Sequence, residues 1–291
     1  MIRKLAFVIC LLFVISCLGF TAEAKQYDGL WFLGFNLHKD VFNDVQTRRA
    51  VAQAIDRKFI ATRIFSEEVV PNGVIPPGMS GYDPAFRDVG YAPKKIKKLA
   101  GTTLVLLHTD GVKTIKAAQK IKKDLEAIGL KIKLQQAAYS NQDGWERELK
   151  SGRHHLFLMG YKNDNIETVF IGDKVSRLFH APGCEKIPDA DSQVIFGSYE
   201  EATSANYAPD ALCQPKPLPK KDTPDLLNAL FHSQGEANFT YYSNPRVDGL
   251  LDQLSQLDPA LSSLRLEKMK EANRLIVEDV PTVNLFYITR L

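Results

Sequence analysis

The segment that decides the fold is Val41–Lys58, with the sequence VFNDVQTRRAVAQAIDRK. Asp44 is a good N-cap, because its carboxylate accepts hydrogen bonds from the free amides of a first helical turn and its charge suits the positive end of the helix dipole. After Val45 the apolar side chains recur at helical spacing on one side, at Val51, Ala52, Ile55 and Phe59. The segment therefore predicts one amphipathic helix that begins at Val45.

The same segment also carries a motif. It resembles PF-x-DVRVRQAL-x-x-AIDR, the signature of family 5 solute-binding proteins, through Phe42, Asp44-Val45, Arg48, Ala50 and Ala54-Ile55-Asp56-Arg57. These proteins are the extracytoplasmic receptors of peptide and nickel ABC importers. The sequence departs from the signature at Gln46 and Arg49, where the family has an arginine and a glutamine. Neither change breaks a helix.

Three more stretches follow the family in the same order. Pro71–Pro84 is similar to its NG-x-I-PPG-x-x-GYDP loop, Asn238–Asp248 to its NF-x-x-YSNP-x-VD-x-LL motif, and the end of the chain to its helix-ED-x-P-x-x-PLY pattern. Together these motifs run from Leu30 to Tyr287. A complete family member is about twice as long, so the resemblance implies the carboxy-terminal lobe alone.

The hydrophobic pattern alternates between strand and helix periods. Strands are predicted at 30–36, 102–108, 130–134 and 156–161, and helices at 93–100, 113–128, 142–149 and 261–280. Strands separated by helices imply a sheet that is covered on both faces. We therefore expect an α/β fold with a mixed, mostly parallel sheet, similar to one lobe of a class II periplasmic binding protein.

A long stretch at about 165–221 interrupts this pattern. Prolines are frequent in it, and the sequence predicts an irregular insertion within a single lobe that spans residues 25–291. It contains Cys184 and Cys213, which in an oxidising compartment favour a disulfide, with two free thiols or metal ligation as alternatives. His180 and Cys184 have a spacing seen in metal sites, but two ligands fall short of a structural site, so we predict no metal.

The amino terminus predicts export. Arg3 and Lys4 precede an apolar run, and Ala22-Glu23-Ala24 is a cleavage site, so residues 1–24 are identified as a signal peptide. The alternative is a lipoprotein that is anchored through Cys17. Loss of the leader lowers the formal charge from +3 to +2, and such a balanced chain does not favour nucleic-acid binding. The expected location is the periplasm.

Candidate ligand-binding residues follow the fourth strand. Asp164 is in register with the family aspartate that pairs with the amino terminus of a bound peptide, although it also suits a cap at the start of the insertion, and Asp222 is an equal candidate for the same acid. Tyr161, Asn163 and Trp145 are candidates for a stacking or hydrogen-bonding surface nearby, with core packing as the alternative.

No catalytic or phosphate-binding motif occurs in the sequence. We expect a non-enzymatic protein without a cofactor, associated with ABC-type transport of a peptide or another small solute. Its expected partners are that solute, and an ABC permease or a protein that supplies the missing lobe. The alternative is a periplasmic interaction module that has lost solute binding and uses the insertion to fill the old crevice or to dock a partner.

Overall fold

The structure is a computed structural model, and it describes most of the chain. The described residues are 27–67, 69–139, 142–162, 170–181, 184–196, 199–216, 223–257 and 262–289. The predicted signal peptide and Cys17 lie outside these ranges, as do Asn163, Asp164 and Asp222. No helix within the described ranges is long and apolar enough to span a bilayer.

The secondary structure alternates as the sequence predicts. The strands are β1 (Tyr27–Phe35), β2 (Thr103–Thr109), β3 (Lys131–Ala137), β4 (Leu156–Lys162), β5 (Phe170–Asp173), β6 (Leu178–His180), β7 (Gln193–Phe196), β8 (Ala208–Pro209) and β9 (Thr282–Thr289). The α-helices of six residues or more are α1 (Val45–Ala54), α2 (Val112–Ala127), α3 (Gln142–Lys150), α4 (Tyr199–Ser204), α5 (Thr223–Phe231), α6 (Pro245–Gln256) and α7 (Ser262–Asp279).

The main sheet has five strands in the order β3-β2-β4-β1-β9. β2 is parallel to β3 and β4, whereas β1 is antiparallel to β4 and β9. One face carries a core that includes side chains of α1 and α2, and the other face carries a core that includes side chains of α3, α5, α6 and α7. The predicted mixed sheet with helices on both faces is therefore confirmed.

Helix α1 begins where the sequence predicts but is shorter. The Asp44 carboxylate accepts a hydrogen bond from the Gln46 amide at 2.9 Å, which makes it the N-cap. The helix ends at Ala54, because Ile55 is extended and the Asp56 side chain caps a new turn by accepting from the Phe59 amide. Phe59 is consequently 43% exposed, and its predicted place on the buried face of one long helix is wrong.

Two of the three arginines in the opening segment, Arg48 and Arg57, connect it to distant parts of the chain. Arg48 is buried, and its guanidinium donates to the carbonyl oxygens of Phe42 at 2.6 Å, Asp279 at 2.5 Å and Val280 at 3.1 Å. Arg57 pairs with Asp88 at 2.8 Å. Arg48 thus has a structural role, because it joins α1 to the segment just before β9.

The loop rich in proline and glycine packs against the last helix and strand. The Val74 amide donates to the Asn273 side-chain oxygen at 2.9 Å, and the Tyr287 hydroxyl donates to the Gly73 carbonyl at 3.0 Å. A Cβ at Gly73 would lie 2.7 Å from Asn273 Oδ1, so glycine permits this close approach. The loop is therefore held by buried polar contacts.

The predicted helix at 93–100 is wrong. The structure has a 3-10 turn at Lys97–Leu99 there. The segment contains four lysines, at 94, 95, 97 and 98, and offers few apolar side chains for burial. A helix of two turns is marginal without such burial, and neighbouring like charges weaken it further.

The insertion is more regular than its sequence suggests. Strands β5 to β8 form a second sheet in the order β7-β5-β6-β8. Its core is separate from those of the main sheet and contains four buried aromatic side chains together with Ala202: Phe170, Phe179, Phe196 and Tyr207. The sequence did not reveal this order, because the strands are only two to four residues long and prolines interrupt the pattern.

Candidate functional site

The connections of the main sheet create a crevice position at one edge. From β2 the chain passes through α2 to β3 on one side, and from β3 it passes through α3 to β4 on the other side of β2. The two helices lie on opposite faces of the sheet. The carboxyl ends of β2 and β4 therefore meet at a topological switch point, where open α/β sheets bind ligands.

The two strands at this switch point diverge. β2 pairs with β4 at two positions, Leu106 with Leu156 and Leu107 with Phe157, although β2 continues to Thr109 and β4 to Lys162. Beyond these positions the two strands share no further register in the described structure. The two strands therefore separate before their carboxyl ends.

Tyr161 lies near the end of β4 and is the sequence-predicted site residue that the structure places at this edge. It is half-buried, and its hydroxyl donates to the exposed Glu236 carboxylate at 3.1 Å. Burial, followed by the Glu236 carboxylate, raises the pKa of Tyr161 well above its usual value. The phenol therefore stays neutral at physiological pH, and the pair presents a carboxylate to solvent at the crevice edge.

Glu236 was not among the predicted site residues. It lies in the loop after α5, just before the NF-x-x-YSNP motif, and 75 positions separate it from Tyr161. The sequence offered one signal for Glu236, an acidic residue next to a family motif. Its contact with β4, however, depends on the tertiary structure. An exposed carboxylate supported by a hydroxyl suits a cationic group such as a peptide ammonium.

The end of β2 contributes polar groups of a different kind. His108 is buried, and its Nδ1 lies 2.8 Å from the Thr109 carbonyl oxygen. Asp110 Oδ1 accepts from the Tyr139 amide at 3.0 Å and so ties the end of β2 to the segment after β3. Asp110 thus orders the loops around the crevice.

Trp145 is the other predicted ligand-binding residue in the described structure, and the adjacent histidines His154 and His155 were not among the predicted site residues. Trp145 on α3 is 8% exposed and belongs to the core on that face of the sheet, the alternative that the sequence left open for it. Neither His154 nor His155 joins a metal-binding group in the described structure. His154 is buried, whereas His155 Nδ1 accepts from the Val105 amide at 3.2 Å.

The cysteines of the insertion are free thiols in the structure, in contrast to the predicted disulfide. Cys184 and Cys213 each place Sγ 3.6 Å from Nδ1 of the buried His180, and the two thiols also interact with each other. Asp210 joins them, and the four residues could together hold a metal ion. This group is distinct from the crevice at the main sheet.

The sequence matches a known family over more than half of its length. Residues 18–171 match the profile described as "Bacterial extracellular solute-binding proteins, family 5 Middle". "Di/tripeptide-binding protein 2" of Pseudomonas aeruginosa (strain UCBPP-PA14) is 27% identical over 170 residues, which are 54% of this chain and 30% of that protein. The chain thus spans less than a third of this relative.

Solved structures show the same fold at low identity. HbpA2 from Haemophilus parasuis aligns with a TM-score of 0.63 and 15% identity over 91% of this chain and 43% of that one. The periplasmic binding protein DppA from Helicobacter pylori, solved in complex with the peptide STSA, aligns with a TM-score of 0.60 and 19% identity over the same shares. With its sequence match and this fold, the chain belongs to family 5 of the bacterial extracellular solute-binding proteins.

Proposed function

We propose that this chain is an exported, non-enzymatic binding lobe that contributes one wall of a crevice for a peptide in ABC-type uptake. The observation that carries the proposal is the Tyr161–Glu236 pair at the switch point of the main sheet. The relative from Pseudomonas aeruginosa is named as a di/tripeptide-binding protein, which fits a site that offers a carboxylate to an ammonium group. Asp164, or Asp222 as an equal candidate for the same acid, remains a predicted ligand.

The affinity expected for a peptide is limited because the lobe supplies only one wall of the crevice. Ligands of this size are usually buried over most of their surface, and one wall supplies at most half of that burial. Affinity is the surplus that remains after association and ordering costs, so the lobe alone should bind a peptide weakly. We therefore propose that an ABC permease, or a protein that supplies the facing lobe, completes the site.

Calorimetric titration of the mature chain with trialanine tests this proposal. Glu236→Gln keeps the hydrogen bond from Tyr161 but removes the charge, so it should weaken binding about tenfold or more, as expected for a charge-assisted hydrogen bond worth about 1.5–3 kcal/mol. Glu278→Gln is the matched control, because Glu278 lies near the end of α7, next to the start of β9 and hence at the opposite edge of the sheet. Equal binding by both variants would remove Glu236 from the site.

A second candidate function is an interaction module in which the insertion docks a partner. It is favoured by the separate core of the insertion and by its position in the chain directly after the crevice end of β4. Native mass spectrometry of protein purified from exporting cells separates the two. Co-purified peptide supports the binding lobe, whereas a stoichiometric protein partner without peptide supports the module.

The proposed location is the periplasm, reached through the leader at residues 1–24, with lipid anchoring at Cys17 as the alternative. Intact mass of the exported protein distinguishes these. A soluble chain that begins at Lys25 supports cleavage after Ala24, and a diacylglyceryl mass on a chain that begins at Cys17 supports the anchor.

A further inference from the structure

Four side chains that can bind metals converge at one end of the small sheet in the insertion. His180 is the last residue of β6, and Asp210 directly follows β8. β6 and β8 are parallel neighbours, with Phe179 opposite Pro209, and the Asp210 amide donates to the Phe179 carbonyl at 3.0 Å. The strand register therefore brings His180 and Asp210 together, with both side chains buried.

A short turn follows both His180 and Asp210, and each turn places a cysteine near them. The Cys184 amide donates to the Ala181 carbonyl at 3.2 Å, which closes the turn after His180. The Cys213 amide donates to Asp210 Oδ1 at 3.1 Å, which closes the turn after Asp210. The spacings H-x-x-x-C and D-x-x-C thus give two chelating pairs from two adjacent strand ends.

The distances to the sulfurs in this group match the edges of a tetrahedron around one ion, whereas the Asp210–His180 distance is longer. Zinc binds sulfur at about 2.3 Å and nitrogen or oxygen at about 2.0–2.2 Å, so ligand atoms in a tetrahedral site lie roughly 3.4–3.8 Å apart. His180 Nδ1 is 3.6 Å from both sulfurs, Cys213 Sγ is 3.5 Å from Asp210 Oδ1, and that oxygen is 4.0 Å from Nδ1. All four ligand atoms lie within 4.8 Å of one another.

This arrangement favours a metal over a disulfide. A disulfide needs its sulfurs about 2.05 Å apart and makes no use of a neighbouring imidazole or carboxylate. Here both sulfurs approach the same ring nitrogen, and a carboxylate oxygen completes the group. Two thiolates, one imidazole and one carboxylate form a borderline-soft donor set for which tetrahedral zinc is well suited.

The insertion also has a physical need for such a link. Its separate core has only five fully buried apolar residues among the described ones. A core of this size buries too little surface to hold a subdomain firmly, and small domains of this kind are usually reinforced by disulfides or a metal. The two cysteines are partly exposed, so an ion can reach the site from solvent.

We propose that His180, Cys184, Asp210 and Cys213 form a structural zinc site that joins the ends of β6 and β8 and stabilises the insertion. The sequence alone did not predict this site, because the H-x-x-x-C spacing of His180 and Cys184 offers only two ligands. The second pair, Asp210 and Cys213, lies about thirty positions later in the chain. This inference is independent of the proposed peptide site.

Metal analysis of the exported full-length mature chain, purified without chelator or reductant, tests the inference. We expect about one zinc per chain, thiols that react with an alkylating reagent after chelation and not before, and a thiolate-to-metal charge-transfer band when Co²⁺ replaces the zinc. Protein that carries a Cys184–Cys213 disulfide, two Da lighter by mass spectrometry, would overturn the proposal. Metal-free protein whose thiols react at once would also overturn it.

Variants identify the ligands. Cys184→Ser and Cys213→Ser should lose zinc and the cobalt band. Asp210→Asn is more informative about folding, because an asparagine oxygen can still accept from the Leu212 and Cys213 amides and so preserve the turn. It should lower zinc affinity while leaving the far-UV circular dichroism unchanged.

The matched control is Glu185→Gln, which removes an exposed acid next to Cys184 without removing a proposed ligand. It should bind zinc like the parent chain. If Glu185→Gln and Asp210→Asn bind zinc equally well, Asp210 is not a ligand and the four-residue site is wrong.

Discussion

Arg48 in the opening motif provides a direct test of which contacts stabilise this fold. Arg48 is 8% exposed, and the carbonyl groups to which it donates include those of Phe42, Asp279 and Val280, which close the junction between α1 and β9. Arg48→Met keeps the apolar stem and removes all of these donors. Each buried acceptor that loses its donor costs about 1–3 kcal/mol.

The combined destabilisation is smaller than the sum of three separate losses, because water and small backbone shifts satisfy some of the carbonyl acceptors. We expect Arg48→Met to lower the free energy of unfolding by about 3–5 kcal/mol, comparable with removing one partner of a buried charged pair. With an m-value near 2–3 kcal/mol/M, the urea midpoint should fall by roughly 1–2 M. Equilibrium urea unfolding followed by circular dichroism measures this shift.

The adjacent arginine supplies a matched control. Arg49 is on the same helix and makes an exposed hydrogen bond to the Glu278 carbonyl at 2.9 Å, so Arg49→Met should cost no more than about 1 kcal/mol. Arg48→Lys keeps a charge and part of the donor capacity, and its loss should be intermediate. If Arg48→Met and Arg49→Met differ by less than about 1 kcal/mol at equal m-values, the proposed role of Arg48 is refuted.

Two further predictions concern the sheet. Burial, together with the charge of Lys39, lowers the pKa of His154 from 6.5 to about 4, so the unfolded chain binds more protons between these values and stability falls as the pH drops from about 6.5 to 4. At 1.36 kcal/mol per pKa unit, this loss of stability is about 3 kcal/mol. Urea titrations across this pH range should show a smaller loss of stability for His154→Leu than for His38→Gln, an exposed control. Equal losses in the two variants would contradict the prediction. Gly34→Ala would place a Cβ 2.2 Å from the buried Phe157 ring and should lower the free energy of unfolding by about 1–3 kcal/mol. Gly90→Ala, where no atom lies within 4 Å of the new Cβ, should leave the melting temperature unchanged. Equal losses of stability in the two variants would show that the Phe157 ring moves aside easily.

Much of the main sheet could be predicted because its signals are local. Helix α2 shows apolar residues at steps of three and four that the structure buries at Ala118, Ile121 and Leu125. The N-cap at Asp44 was predicted from one residue and is present. Predictions failed where a local competitor intervened, as when the Asp56 side chain capped a new turn and ended the predicted helix early.

The insertion shows the opposite case. Its strands span two to four residues, too few for a period to stand out between loops that contain proline. Its order arises from contacts between aromatic side chains far apart in sequence, such as Phe170 and Tyr199, whose ring centroids are 6.0 Å apart. Sequence patterns cannot register such contacts, because each segment alone has no preferred partner.

The sequence by itself determined the family and the alternation of strands and helices. Each depends on neighbours within one turn or one strand, where spacing alone sets which side chains share a face. Only the tertiary structure decided which distant groups meet: Arg48 with the carbonyl groups before β9, Tyr161 with Glu236, and His180 with Asp210. Those meetings depend on strand order and register, which are set by the packing of the whole chain.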